Sequence, residues 1–83
     1  MEKKLVSSGQ LTMILNQRIR PFADAQGCRV TSISPMMNPN ADQPNWSSNV
    51  SFVCTGGSRE RAMPVIRRVA AKAQQEYNLA PPK

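Results

Sequence analysis

The sequence has no histidine, only two cysteines and only five acidic residues in 83 positions. Without histidine, the commonest general base and the commonest metal ligand near neutral pH are both missing. Two cysteines with no histidine and no further cysteine cannot complete a structural zinc site within one chain, so no metal or other cofactor is expected. The acids Glu2, Asp24, Asp42, Glu60 and Glu76 are scattered, with no pair spaced for acid/base work, and read as solvated charges. These absences lead to the expectation that the protein is not an enzyme.

Long apolar runs are also missing. The longest stretch without a charge, 43–58, is studded with Ser, Asn and Gly, and nothing approaches the ~20 apolar residues of a membrane span. The opening residues, Met1 to Ser7, carry two lysines but no apolar stretch suited to a signal peptide. No membrane association and a cytoplasmic location are therefore expected.

What the chain has instead is positive charge: eleven Lys and Arg give a formal net charge of +6 and a pI near 10.2. Such an excess speeds encounter with polyanions, although it also serves solubility alone. The length allows one domain, 1–83, with one small core. A chain this small buries a modest fraction of its surface, so self-association into a homodimer is a natural source of further stability.

The first organised segment begins at Ser7, which is placed to cap a helix while Gln10, three residues on, reaches back in a capping box. Val6 and Leu11 have the spacing of a hydrophobic staple. A helix from about Ser8 follows, with Leu11, Ile14, Leu15 and Ile19 on one face; residues 1–6 read as a flexible start. Pro21 disfavours helical geometry at Arg20, and a short second turn through Phe22 and Ala25 ends at Gly27. Phe22 is assigned to the core.

Residues 28–34 form an expected strand in which Val30 and Ile33 share a face only if a bulge intervenes. The segment 35–45, with three prolines and three asparagines, is a long loop. Trp46, Ser48, Val50, Phe52 and Cys54 then alternate with polar residues as a second strand. Ser58 is placed to cap a second helix running from about Arg59 to Tyr77, whose apolar stripe is Ala62, Ile66, Val69, Ala70, Ala73 and Tyr77. Pro64 sits too far in to be a first-turn proline, so the helix is either kinked there or regular only from about Met63. Residues 79–83 read as a tail. The expected fold is α+β, in the order helix, strand, strand, helix, with an antiparallel β-hairpin packed against two helices.

In a hairpin symmetric about Ala41, Cys28 lies opposite Cys54, Val30 opposite Phe52 and Ser32 opposite Val50. The two cysteines are thus expected to be buried neighbours; a disulfide is the alternative, but a cytoplasmic location implies that they stay reduced.

Three constellations are candidate sites. On the outer side of the second helix, Arg61, Arg68 and Lys72 fall within about 40° of one another and are spaced by about 10.5 Å and 6 Å along the axis. With Arg67 nearer the Gln74 side, they form a basic ridge suited to phosphates, weighed against a solvated face kept charged for solubility. Gly56, Gly57, Ser58 and Arg59, between strand and helix, are a candidate anion turn, although a flexible turn and a helix cap explain the same residues. Trp46 beside Met36 and Met37 is a candidate protein contact. With every aromatic residue assigned to the core, base stacking is disfavoured. The sequence thus supports a non-catalytic binding module whose partner is another protein or itself, with non-specific binding of the nucleic-acid backbone as the alternative.

Overall fold

The computed structural model describes residues 3–37 and 44–80. Among these residues six elements follow one another: β1 (Lys4–Val6), α1 (Ser8–Ile19), β2 (Cys28–Ser32), β3 (Ser51–Cys54), α2 (Arg59–Gln74) and β4 (Tyr77–Leu79), with a 3-10 turn at Ala23–Ala25 between α1 and β2. The fold is a small mixed α+β arrangement of two helices and two two-stranded sheets.

The start of α1 follows the local chemistry. Ser7 Oγ accepts from the Gln10 N–H at 3.1 Å, and Gln10 Oε1 accepts from the Ser7 N–H at 3.0 Å, which closes the capping box. Leu11, Leu15 and Ile19 are buried and Ile14 is half-buried. β2 and β3 pair antiparallel with Cys28 opposite Cys54 and Val30 opposite Phe52, as the hairpin symmetry requires. The register then shifts between Val30 and Ser32, so Ser32 faces Ser51 rather than Val50. That irregularity is the bulge that Val30 and Ile33 needed, and both side chains are buried. Beyond it, Pro35 and Trp46 form an isolated antiparallel bridge, so the regular part of the second strand is shorter than its 46–54 alternation. Residues 38–43 of the expected loop lie outside the described residues.

The flexible start and the tail are corrected in part. Lys4–Val6 and Tyr77–Leu79 pair in parallel, Lys4 with Tyr77 and Val6 with Leu79. The Lys4 N–H donates to Glu76 O and the Ala80 N–H to Val6 O, extending the ladder at both ends. A three-residue strand is too short for an alternation to declare itself, and its partner lies at the far end of the chain. Residues 1–2 and 81–83 lie outside the described residues. For the same reason α2 is shorter than expected. It closes at Gln74, where Gln75 and Glu76 donate to Lys72 O and Ala73 O in tighter bonds, and Tyr77 goes to β4. Pro64 is inside a continuous α2; its missing N–H removes the bond to the Glu60 carbonyl on the exposed side.

The core joins α1 (Leu11, Leu15, Ile19), the hairpin (Val30, Val50, Phe52) and α2 (Ala62, Ile66, Val69, Ala70, Ala73) around Trp46, which is 0% exposed. Trp46 Nε1 donates to Tyr77 O at 3.0 Å, and Gln74 Nε2 donates to Trp46 O at 2.7 Å. The indole is therefore a buried pin between the hairpin, α2 and β4, not an exposed anchor. Its alternation with Val50 and Phe52 places it on the core face.

Cys28 and Cys54 are joined as a disulfide, with Cα atoms 3.9 Å apart. They are neighbours at the expected register, but oxidised rather than reduced, and half-buried rather than buried. Direct opposition on one face of a hairpin brings the two sulfurs together.

Candidate functional site

Three of the eleven cationic side chains are bound to groups of the fold. Arg59, the first residue of α2, donates from Nη1 to Phe52 O at 3.1 Å, and its guanidinium lies 4.5 Å from the centre of the Phe52 ring. Arg18, in the last turn of α1, makes a two-pronged bond to Glu76, Nη1 to Oε2 at 2.6 Å and Nη2 to Oε1 at 3.2 Å. The hydrogen bonds from Arg18, aided by its charge and that of Lys72, hold the Glu76 carboxyl below the ordinary glutamate range, and Glu76 in turn raises the Arg18 value. Arg67 Nη2 donates to Asn49 Oδ1 at 3.4 Å, which ties it to the segment before β3.

A second set of cations is not used in this way. Arg61, Arg68 and Lys72 are exposed on α2, and among the described residues the one ion pair is Arg18–Glu76. At 3.6 residues per turn and 1.5 Å per residue, the three share one line about 16 Å long. Arg67 points about 120° away and belongs to the hairpin side. Glu60, one turn from Pro64, is also off that line by about 100°.

The glycine turn has a structural account. Gly56 has φ 81°, a left-handed conformation. A Cβ on Gly57 would stand 2.2 Å from Gln26 O, so only glycine lets the β3–α2 turn cross the turn before β2. Ser58 Oγ accepts from the Arg61 N–H at 3.3 Å as the cap of α2, and Arg59 points to Phe52. Cap, crossing and stacking explain all four residues, and the anion turn gains nothing further. Of the candidate protein contact, Met36 and Met37 are exposed and Trp46 is buried.

Side chains also occupy most sheet edges. The Val30 N–H donates to Asn16 Oδ1 at 2.8 Å and its C=O accepts from Asn16 Nδ2 at 3.1 Å, so the amide copies a β-ladder partner. Across the ladder, Arg59 covers Phe52. Asn45 repeats the device on β4, accepting from the Leu79 N–H at 2.8 Å and donating to Leu79 O at 2.9 Å. Alternation turns the Leu5 N–H and C=O away from β4, and among the described residues no side-chain partner meets them.

Among the clefts that border cations, two are the larger of those lined by described residues. One of about 520 Å3 is lined by Arg20, Arg29, Gln26 and Cys28 among others, beside the disulfide. The other, about 410 Å3, lies between the end of α1 and the outer side of α2 and is lined by Arg18, Pro21, Phe22, Val69, Lys72 and Glu76. Phe22 is 41% exposed there, not part of the core. Pro21 ends α1, and the 3-10 turn that follows sends Ala25 inward in place of the ring. Sequence reasoning missed this because an aromatic residue after a helix end is assigned to the core by default.

Among the described residues, no group of three or more His, Cys, Asp or Glu is placed to hold a metal ion, and no helix is long and apolar enough to cross a membrane. In comparisons with known proteins, no family model, curated protein or solved structure matches the chain.

Proposed function

We propose that this protein is a small non-catalytic binding protein that holds the phosphate backbone of a nucleic acid along the outer side of α2. The observation that carries this reading is the division of the cations: Arg18, Arg59 and Arg67 are bound to protein groups, whereas Arg61, Arg68 and Lys72 stand exposed in one line. Arginine and lysine side chains without carboxylate partners gain most from phosphate contacts, because no internal bond must be broken first. Such contacts position a strand and read no base sequence, so binding is non-specific.

Titration of labelled duplex DNA at rising salt tests this. Three phosphate contacts give a log-log slope of about −3, since each contributes about −0.9. Changing Arg61, Arg68 and Lys72 together to Ala removes most of that slope. Equal binding by the triple variant would move the site to the Arg20 and Arg29 cleft.

A second reading, a protein-interaction module that pairs with its own copy, rests on β1. Leu5 is 62% exposed and its backbone groups meet no partner among the described residues, and an unpaired strand edge is where another strand would add. Sedimentation that shows only monomer at tens of micromolar counts against it.

A further inference from the structure

The cleft at the end of the basic line says which form of nucleic acid the chain would hold, an inference that rests on the reading above. We propose that the partner is single-stranded nucleic acid, with one base stacked on Phe22 while the adjoining backbone follows Lys72, Arg68 and Arg61.

The observations converge on one place. Pro21, Phe22 and Val69 supply the apolar part of the cleft's lining, and Lys72 lines it with them. Lys72 is also the last cation of the α2 line, so a backbone laid on Arg61 and Arg68 runs directly toward the cleft. The second cation there, Arg18, is held by both oxygens of Glu76 and lies 5.6 Å from the Tyr77 ring. That pairing offsets the carboxylate that would otherwise repel a phosphate, and Lys72, although its charge also acts on Glu76, makes no ion pair among the described residues.

The volume of about 410 Å3 lies in the range of ligand-sized pockets, roughly 300–1,000 Å3. A half-exposed aromatic ring beside a cationic track is the combination that single-strand binders use, because every base has a π face whatever its sequence. Bases in a duplex are already stacked and paired, so a duplex reaches the cations but not the ring.

The test measures fluorescence anisotropy of a labelled oligothymidine strand and of a duplex of equal nucleotide number, at ~50 mM salt. Phe22→Ala is expected to weaken single-strand binding about fivefold or more, the lower end for loss of one stacked base, and to leave duplex binding unchanged. Phe22→Leu, which keeps an apolar side chain in the cleft lining, gives the same loss if the π face matters, and Phe22→Trp restores or improves binding.

Changing Arg61, Arg68 and Lys72 to Ala weakens both ligands. Unchanged single-strand affinity in Phe22→Ala, with both ligands still lost in the triple variant, overturns the stacking inference and leaves the backbone reading intact. Equal loss of both ligands in Phe22→Ala, or full affinity in Phe22→Leu, overturns it as well. Absence of binding by the unmodified protein to either ligand overturns both readings.

Discussion

On the side of α2 that faces the hairpin, Arg59 covers the Phe52 ring and Arg67 reaches Asn49; on the outer side, the exposed Arg61 and Arg68 side chains make no hydrogen bond or ion pair among the described residues. These four residues are chemically identical, and their helical phase decides what each does. Arginines on the hairpin side complete the fold by satisfying a carbonyl or covering a ring. Those on the outer side add charge without adding a hydrogen bond or ion pair among the described residues. A formal net charge of +6 therefore overstates what the fold needs and understates how unevenly the charge is arranged.

The comparison can be broken first on the hairpin side, where the effects on stability are largest. Trp46→Ala removes the buried indole and its bond to Tyr77 O, and is expected to cost about 3–5 kcal/mol. For a domain whose total stability is of order 5–15 kcal/mol, this approaches unfolding. Urea denaturation followed by circular dichroism measures it.

Opening the disulfide comes next. Cys28 and Cys54 are 26 residues apart, and closing a loop of that size is worth about 2–4 kcal/mol. The double Ser variant should lower the denaturation midpoint accordingly, and mass spectrometry of alkylated native protein reports whether the bond is present.

Asn16→Ala is expected to cost about 1–3 kcal/mol, because it strands the Val30 N–H and C=O on a partly buried edge. If the same variant also dimerises, the amide is guarding that edge against another strand.

The smallest effect belongs to the exposed pair Arg18–Glu76. Glu76→Gln should cost less than about 1 kcal/mol, because both side chains are solvated. Its sign with pH is definite. The folded state holds the Glu76 carboxyl below its ordinary range, so the contribution is present at neutral pH and is lost as pH falls through the folded value. The difference between wild type and variant therefore vanishes in acid, which parallel melts at neutral and strongly acidic pH will show.

What was legible in the sequence was local. The Ser7 capping box, the Ser58 cap, the apolar faces of both helices and the cysteine register all depend on residues a few positions apart or on one hairpin's symmetry. The need for a bulge was legible too, because Val30 and Ile33 have the wrong parity to share a face. β1 and β4 were not legible, since three residues carry no period and their pairing spans the chain. Tyr77 fell in phase with the α2 stripe, yet the helix tightens and ends before it.

At the candidate site, Arg61, Arg68 and Lys72 could be grouped from helical phase alone. The capture of Arg67 and Arg59 by the hairpin could not, because it depends on how α2 is set against β3. The exposure of Phe22 depends likewise on Ala25 taking the inward place.

The most direct test of the account is the salt dependence of nucleic-acid binding, measured side by side for the unmodified protein and for the variant with Arg61, Arg68 and Lys72 changed to Ala. For the unmodified protein a log-log slope of about −3 on duplex DNA and about −2 on single strands is expected. Most of both slopes is lost in a variant that still melts cooperatively at the same temperature. A variant that binds with an unchanged slope, or an unmodified protein that binds neither ligand at ~50 mM salt, would contradict that expectation.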